Sequence, residues 1–239
     1  MGSYYIMKIA IVMTGHVKGW KKTYEGLQNC VLGHHDVDLY ISTWDVDNAG
    51  RNGDKDKFPA VEIDPVIELY KPKKYCIENH TKYHENRFPT ISFEDRDDDV
   101  FKVDGHAKGH GSYWVERMRD MWYIIKQGYL LIDNPEEYDL IMRLRFDIVF
   151  TNIVFQSTDV PIFLWVNPEK KHVFDLFGYG PPDAMKIYFH VFDHIESMYR
   201  NDNVNIAHSD EMLGKYLMTY NNIMPKHDQS ITHIGAWSN

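Results

Sequence analysis

Along this chain, apolar and polar positions fall into blocks that read alternately as strand and helix. Residues 6–13 form an apolar run of strand length, rich in branched side chains, and Thr14-Gly15-His16 ends it. Residues 20–32 place Trp20, Tyr24, Leu27 and Val31 on one helical face. A second strand is predicted over residues 36–44, a short helix over 65–70 and a short strand over 74–77. Residues 46–58 show no periodicity and read as an exposed loop. This β-α-β-α-β order predicts an α/β fold, with a mostly parallel, doubly wound central sheet flanked by helices.

The pattern fades over residues 78–111, which hold turn formers, charges and histidines. A stretch this long without clear elements is usually functional or mobile. Ser112 is placed to cap a helix running to about residue 131, with Val115, Met118, Trp122, Ile125 and Tyr129 as its apolar stripe. Residues 138–150 make the clearest strand in the chain. Shorter strands are predicted over 161–166 and 173–178. Asp183 leads a helix to about residue 199 and Ser209 another to about residue 220. No repeat appears, so residues 1–239 read as one domain, the first six as a tag or disordered start.

Composition narrows the class. The chain has 239 residues, 44% of them hydrophobic, enough for a core that needs no disulfide or metal staple. A net charge of −9 argues against a nucleic-acid partner, which calls for a basic field. Cys30 and Cys76 form no CxxC pair, as expected in a reducing compartment. No apolar run reaches the roughly 18 residues of a transmembrane segment. Residues 1–5 are too short and polar for a signal peptide. The expected location is cytoplasmic.

The chemistry concentrates in the strand at 138–150. Side chains alternate faces along a strand, so Arg143, Arg145 and Asp147 share one face between Ile141 and Val149. One reading is a structural Arg–Asp network or an edge strand turning its polar face to water. The other is a charged floor under a ligand at the strand's carboxyl end. Arginine is suited to clamping phosphate oxygens, and Asp147 to a metal or a sugar hydroxyl.

Several segments, in order, resemble the glycosyltransferase-like proteins of bacterial polysaccharide loci, phages and large DNA viruses, akin to the WavE-type lipopolysaccharide-synthesis family. They are the opening strand and turn of residues 8–18, the strand Asp-Val-Asp-Leu-Tyr-Ile-Ser-Thr-Trp of residues 36–44, and the Arg-x-Arg-x-Asp strand of 138–150. The series continues with Asp175-Leu176-Phe177-Gly178-Tyr179-Gly180, Ala184-Met185-Lys186-Ile187-Tyr188 and Ser209-Asp210-Glu211-Met212-Leu213. The resemblance implies a GT-A-like fold with a Rossmann-like nucleotide-binding half. It also implies transfer of a sugar from a nucleotide-sugar donor to a glycan or glycoprotein acceptor in polysaccharide biosynthesis or glycosylation. The general GT-A pattern has Asp-x-Asp after an apolar strand, holding the metal. Here Arg145 stands in the first acidic place and Asp147 alone remains as a metal ligand for Mn²⁺ or Mg²⁺. Arginine supplies positive charge where the leaving group develops negative charge, as a metal would.

On this reading Thr14, Gly15, His16, Lys18, Trp44, Arg143, Arg145 and Asp147 are the candidate donor-binding residues. Trp44 is expected to stack on a base or sugar. Asp175, Glu211 and Asp210 are the candidate bases for an acceptor hydroxyl, Asp175 or Glu211 preferred. Asp95-Arg96-Asp97-Asp98-Asp99 is an alternative metal site, although a solvated acidic loop is favoured. His34-His35-Asp36 and His106-x-x-x-His110 have spacings compatible with zinc but read better as loop histidines. A non-catalytic nucleotide-sugar or carbohydrate-binding module is the alternative function. A metal-dependent phosphoesterase built on residues 95–110 is a third.

Overall fold

The computed structural model describes residues 6–46, 60–85, 111–202, 209–228 and 232–235. Residues 47–59 and 86–110 lie outside the described residues, and with them Asp95–Asp99, His106 and His110.

The apolar runs become the centre of a seven-stranded sheet. β1 (Lys8–Thr14) leads through α1 (Trp20–Leu27) to β2 (Asp36–Trp44). α2 (Asp64–Tyr70) then leads to β3 (Lys74–Glu78), followed by α3 (His80–Glu85). α4 (Gly111–Tyr129) precedes β4 (Leu140–Arg145) and β5 (Ile148–Asn152). Next come β6 (Ile162–Phe163), β7 (Val166–Asn167), β8 (His172–Val173) and β9 (Phe177–Gly180). α5 (Pro182–Phe189), α6 (Ile195–Asp202) and α7 (Ser209–Lys215) follow, then β10 (Lys226–His227) and β11 (Thr232–Gly235). The strand order is β10-β6-β9-β4-β1-β2-β3, and four of the six pairings are parallel. β9 is the exception, antiparallel to β4 and β6. The expected mostly parallel α/β sheet is therefore present.

Both faces of the sheet are covered, which is why β1 is apolar without alternation. Ile9, Ile11, Met13, Ile41, Met142 and Leu144 face Leu27, Val31, Val66 and Tyr70 of the α1–α2 side. Ala10, Val12, Tyr40 and Ile141 face Trp122, Ile125 and Tyr129 of α4 and Met185, Tyr188 and Phe189 of α5. Close approach depends on small residues. A Cβ at Gly128 would meet a Val12 methyl at 2.6 Å, so α4 lies directly on β1.

Several elements differ from the sequence reading, and the strands expected over 161–166 and 173–178 are each two short pieces, β6 with β7 and β8 with β9. The single strand expected over 138–150 is two, β4 and β5, separated by a turn at Phe146–Asp147, and β5 pairs with β11 instead of continuing in the main sheet. The alternating pattern runs through this turn because Phe146 stays buried on the α1 side. The helix expected over 183–199 is broken by a 3₁₀ turn over Val191–His194. The helices expected to reach residues 32 and 220 both loosen into a π turn, over Gln28–Leu32 and Tyr216–Tyr220. No helix among the described residues is long and apolar enough to cross a membrane.

Candidate functional site

β1 has β2 on one side and β4 on the other, so the winding direction reverses between β1 and β4. In open α/β sheets the crevice outside the carboxyl ends of the strands at such a reversal is where ligands bind. Thr14 and Arg145 are register partners at that place.

Gly15 follows with φ +101°, a conformation that a side chain would strain, and its carbonyl accepts a hydrogen bond from Thr43 Oγ1 at 2.8 Å. β1 thus ends in a turn fixed to β2. His16 Nδ1 lies 3.3 Å from the Val46 carbonyl, and the Lys18 N–H donates to the His16 carbonyl. Both residues are half-buried in this turn. On the other side, Arg145 donates to Asp147 through Nε (to Oδ1, 2.9 Å) and Nη2 (to Oδ2, 2.5 Å). The turn carrying this pair is held by α1, whose Thr23 Oγ1 donates to the Phe146 carbonyl at 2.6 Å. A Cβ at Gly26 would approach the Phe150 carbonyl to 2.9 Å.

Arg143 does not share this exposure. Only 1% exposed, it donates through Nε to Thr14 Oγ1 at 3.2 Å and through Nη1 to the Asp175 carbonyl. It binds protein groups where a donor-binding role was expected, because the α4–α5 layer closes over that face of β4. Trp44 departs from expectation in the same way. It is 3% exposed, in ring contact with His80 (5.2 Å), Tyr83 (5.1 Å) and Tyr123 (5.8 Å), so it is not an open stacking platform.

The three candidate bases gather beside the β8–β9 connection. Asp175 is buried and accepts a hydrogen bond from Ser209 Oγ at 3.1 Å. Asp210 lies 3.4 Å from His172 Nδ1, both side chains about one-third exposed. Glu211 is held by Lys215 at 2.6 Å, one helical turn on. α7 sits tightly here, since a Cβ at Gly214 would fall 1.8 Å from the Lys171 carbonyl. Arg143, bonded to the Asp175 backbone, ties this acidic group to the end of β1.

Residues not singled out in the sequence complete the carboxyl edge. Glu78, register partner of Trp44, accepts from the Cys76 thiol at 3.4 Å. Burial, then the Glu78 charge, pushes that thiol up to about 11. The Tyr123 hydroxyl is pushed up to about 12, first by burial and then by the charge and hydrogen bond of Glu78. Asp45 accepts from the His80 N–H at 3.0 Å and Asn79 Nδ2 at 2.6 Å at the start of α3. The rule that strand carboxyl ends carry function locates Glu78 and Asp45, whereas His172 and Tyr123 carry no signal in the sequence. Among the described residues no group of three His, Cys, Asp or Glu side chains is placed to hold a metal ion. His34 and His35 turn to backbone groups, the Asn29 carbonyl and the Met7 N–H.

In comparisons with known proteins, no protein-family model matches the chain and no curated protein gives a significant match.

Proposed function

We propose that the chain is a glycosyltransferase of GT-A-like arrangement, moving a sugar from a nucleotide-sugar donor to a glycan or glycoprotein acceptor. One observation carries this reading. The Arg145–Asp147 pair stands at the carboxyl end of β4, level with Thr14 and the Gly15 turn, where the sheet reverses its winding. A guanidinium half-exposed there is suited to the donor diphosphate, and it supplies positive charge as the nucleoside diphosphate leaves. Asp147, oriented by Arg145, is suited to a ribose or sugar hydroxyl. The turn at Thr14-Gly15-His16-Val17-Lys18 offers backbone donors and a lysine beside them.

Among the carboxylates, Asp210 best suits the acceptor side. Asp175 is buried under Ser209 and Glu211 is tied to Lys215, whereas Asp210 is one-third exposed beside the His172 ring. The described residues do not by themselves make a site for Mn²⁺ or Mg²⁺, because Asp147 belongs to no group of three His, Cys, Asp or Glu side chains among them.

That all three candidate bases are hydrogen-bonded or ion-paired favours, as a second reading, a nucleotide-sugar-binding module without catalysis. Titration calorimetry with UDP-, GDP- and dTDP-sugars, each with and without Mn²⁺, tests the common ground. At least one should bind with a Kd below about 1 mM. Failure of all would sink both readings. Slow hydrolysis of the bound donor distinguishes the enzyme from the module.

A further inference from the structure

β3 is an edge strand, and among the described residues its only partner is β2. Its charges stand at the two ends, Lys74 and Glu78, with Tyr75, Cys76 and Ile77 between them. Tyr75 is 52% exposed and Ile77 36%, side by side on one face. The Lys73 N–H donates to the Leu39 carbonyl of β2 at 2.8 Å. By the two-residue period, Tyr75 and Ile77 also turn their backbone groups to β2, and Lys74 and Cys76 turn theirs outward.

The strand reads Lys-Tyr-Cys-Ile-Glu. Laid antiparallel on a second copy of itself about Cys76, it is self-complementary. Lys74 of each copy falls opposite Glu78 of the other, Tyr75 opposite Ile77, and Cys76 opposite Cys76. Opposite charges and aromatic–branched pairs are both favourable across an antiparallel ladder, and a two-fold axis repeats each of them. Lys74 already contacts Asp133 at 2.5 Å, but with side chains 42% and 69% exposed that pair is weak enough to be shared.

We propose that β3 is a dimerisation edge, on which two copies of this chain pair antiparallel about Cys76 and join their sheets into one. Sedimentation velocity on the full chain tests this. A concentration-dependent dimer is expected. Lys74→Glu and Glu78→Lys should each weaken it roughly tenfold, by setting like charges opposite one another. The double variant Lys74→Glu/Glu78→Lys should restore it, which a general loss of folding would not do. Glu78 also accepts from Cys76, so Tyr75→Lys, at an exposed ring, provides an independent variant that should weaken the dimer while the melting temperature of dilute, monomeric protein stays unchanged. The proposal is overturned by a monomer at every concentration up to about 1 mM. It is equally overturned by a dimer indifferent to Lys74→Glu and Tyr75→Lys, or by folded double variants that fail to re-associate.

Discussion

Arg145 and Asp147 grip each other through two parallel hydrogen bonds across the turn that ends β4, with the arginine side chain 29% exposed and the carboxylate 7%. The bidentate fit orients both groups before any ligand arrives, and pre-orientation lowers the cost of binding a phosphate group. Arg145→Ala should therefore cost binding more than folding. Loss of one charge-assisted contact to a donor phosphate corresponds to about 1.5–3 kcal/mol, or roughly 10- to 150-fold in Kd. Asp147→Asn keeps the shape of the pair and should lower affinity while the protein melts nearly as wild type. Calorimetry and thermal melting on both variants are the check. A large drop in melting temperature, with normal affinity in the remaining folded protein, would make the pair structural.

Two residues earlier on the same strand the expectation reverses. Arg143 is buried, and its guanidinium satisfies Thr14 Oγ1 and the Asp175 carbonyl. Arg143→Ala leaves both without that donor and opens a cavity under α5. The cost should be about 2–5 kcal/mol, visible as a lower urea midpoint. Arg143→Lys should not rescue it, because one ammonium cannot reproduce the fork. If Arg143→Ala melted like wild type, the Arg143 bridge between β1 and the Asp175 loop would carry no weight.

The contrast between these two arginines marks where the sequence was legible. Period two puts both on one face, and they are on one face. What closes over that face is α5, whose Tyr188 comes from a segment 45 residues away, and no local pattern reveals it. The same holds for Trp44, whose neighbours Tyr83 and Tyr123 are brought to it only by the fold. The buried strand β1 was readable because burial on both faces favours a near-continuous apolar run, and β2 through the apolar Leu39-Tyr40-Ile41 at its centre. The break between β4 and β5 was not, because the Phe146–Asp147 turn preserves the alternation it interrupts. The approach of Asp210 to His172 needs the tight seat of Gly214 on the Lys171 carbonyl, which spacing alone cannot show.

At the opposite end of the sheet, Asp38 links strand and loop chemistry to pH. Its carboxylate accepts from Lys73 Nζ at 2.7 Å and from the Tyr138 hydroxyl at 2.6 Å, and Tyr138 meets the Tyr40 hydroxyl at 2.8 Å. Burial on its own raises the pKa of Asp38, but the bonds from Lys73 and Tyr138 outweigh it and hold the group below its ordinary value. A carboxylate depressed in the folded state stabilises fully above the unfolded value of about 3.9 and loses that contribution as pH falls through the folded value. Urea midpoints measured from pH 6 downward, at about one-unit steps, should therefore fall more steeply for wild type than for Asp38→Asn. Parallel acid limbs would remove Asp38 from the account.

Tyr188 supplies a test in the opposite direction, a deletion that should not harm. Its ring is fully buried against Trp122 (5.6 Å), Phe163 (5.6 Å) and Phe189 (5.1 Å), yet among the described residues its hydroxyl has no hydrogen-bond partner. Arg143 and Asp175 both act on it electrostatically, with opposite signs, and burial dominates by pushing the hydroxyl well above its ordinary range. An unsatisfied buried hydroxyl costs about 1–3 kcal/mol relative to one that is bonded, and that cost disappears with the oxygen. Tyr188→Phe keeps every ring contact and should leave the melting temperature equal or higher. Tyr188→Ala, which empties the space between α5 and the sheet, should lower stability by about 3–5 kcal/mol. If Tyr188→Phe were instead destabilising by more than about 1 kcal/mol, the hydroxyl would have to be hydrogen-bonded in solution, and a bridging water to Arg143 or Asp175 would be the partner to look for crystallographically.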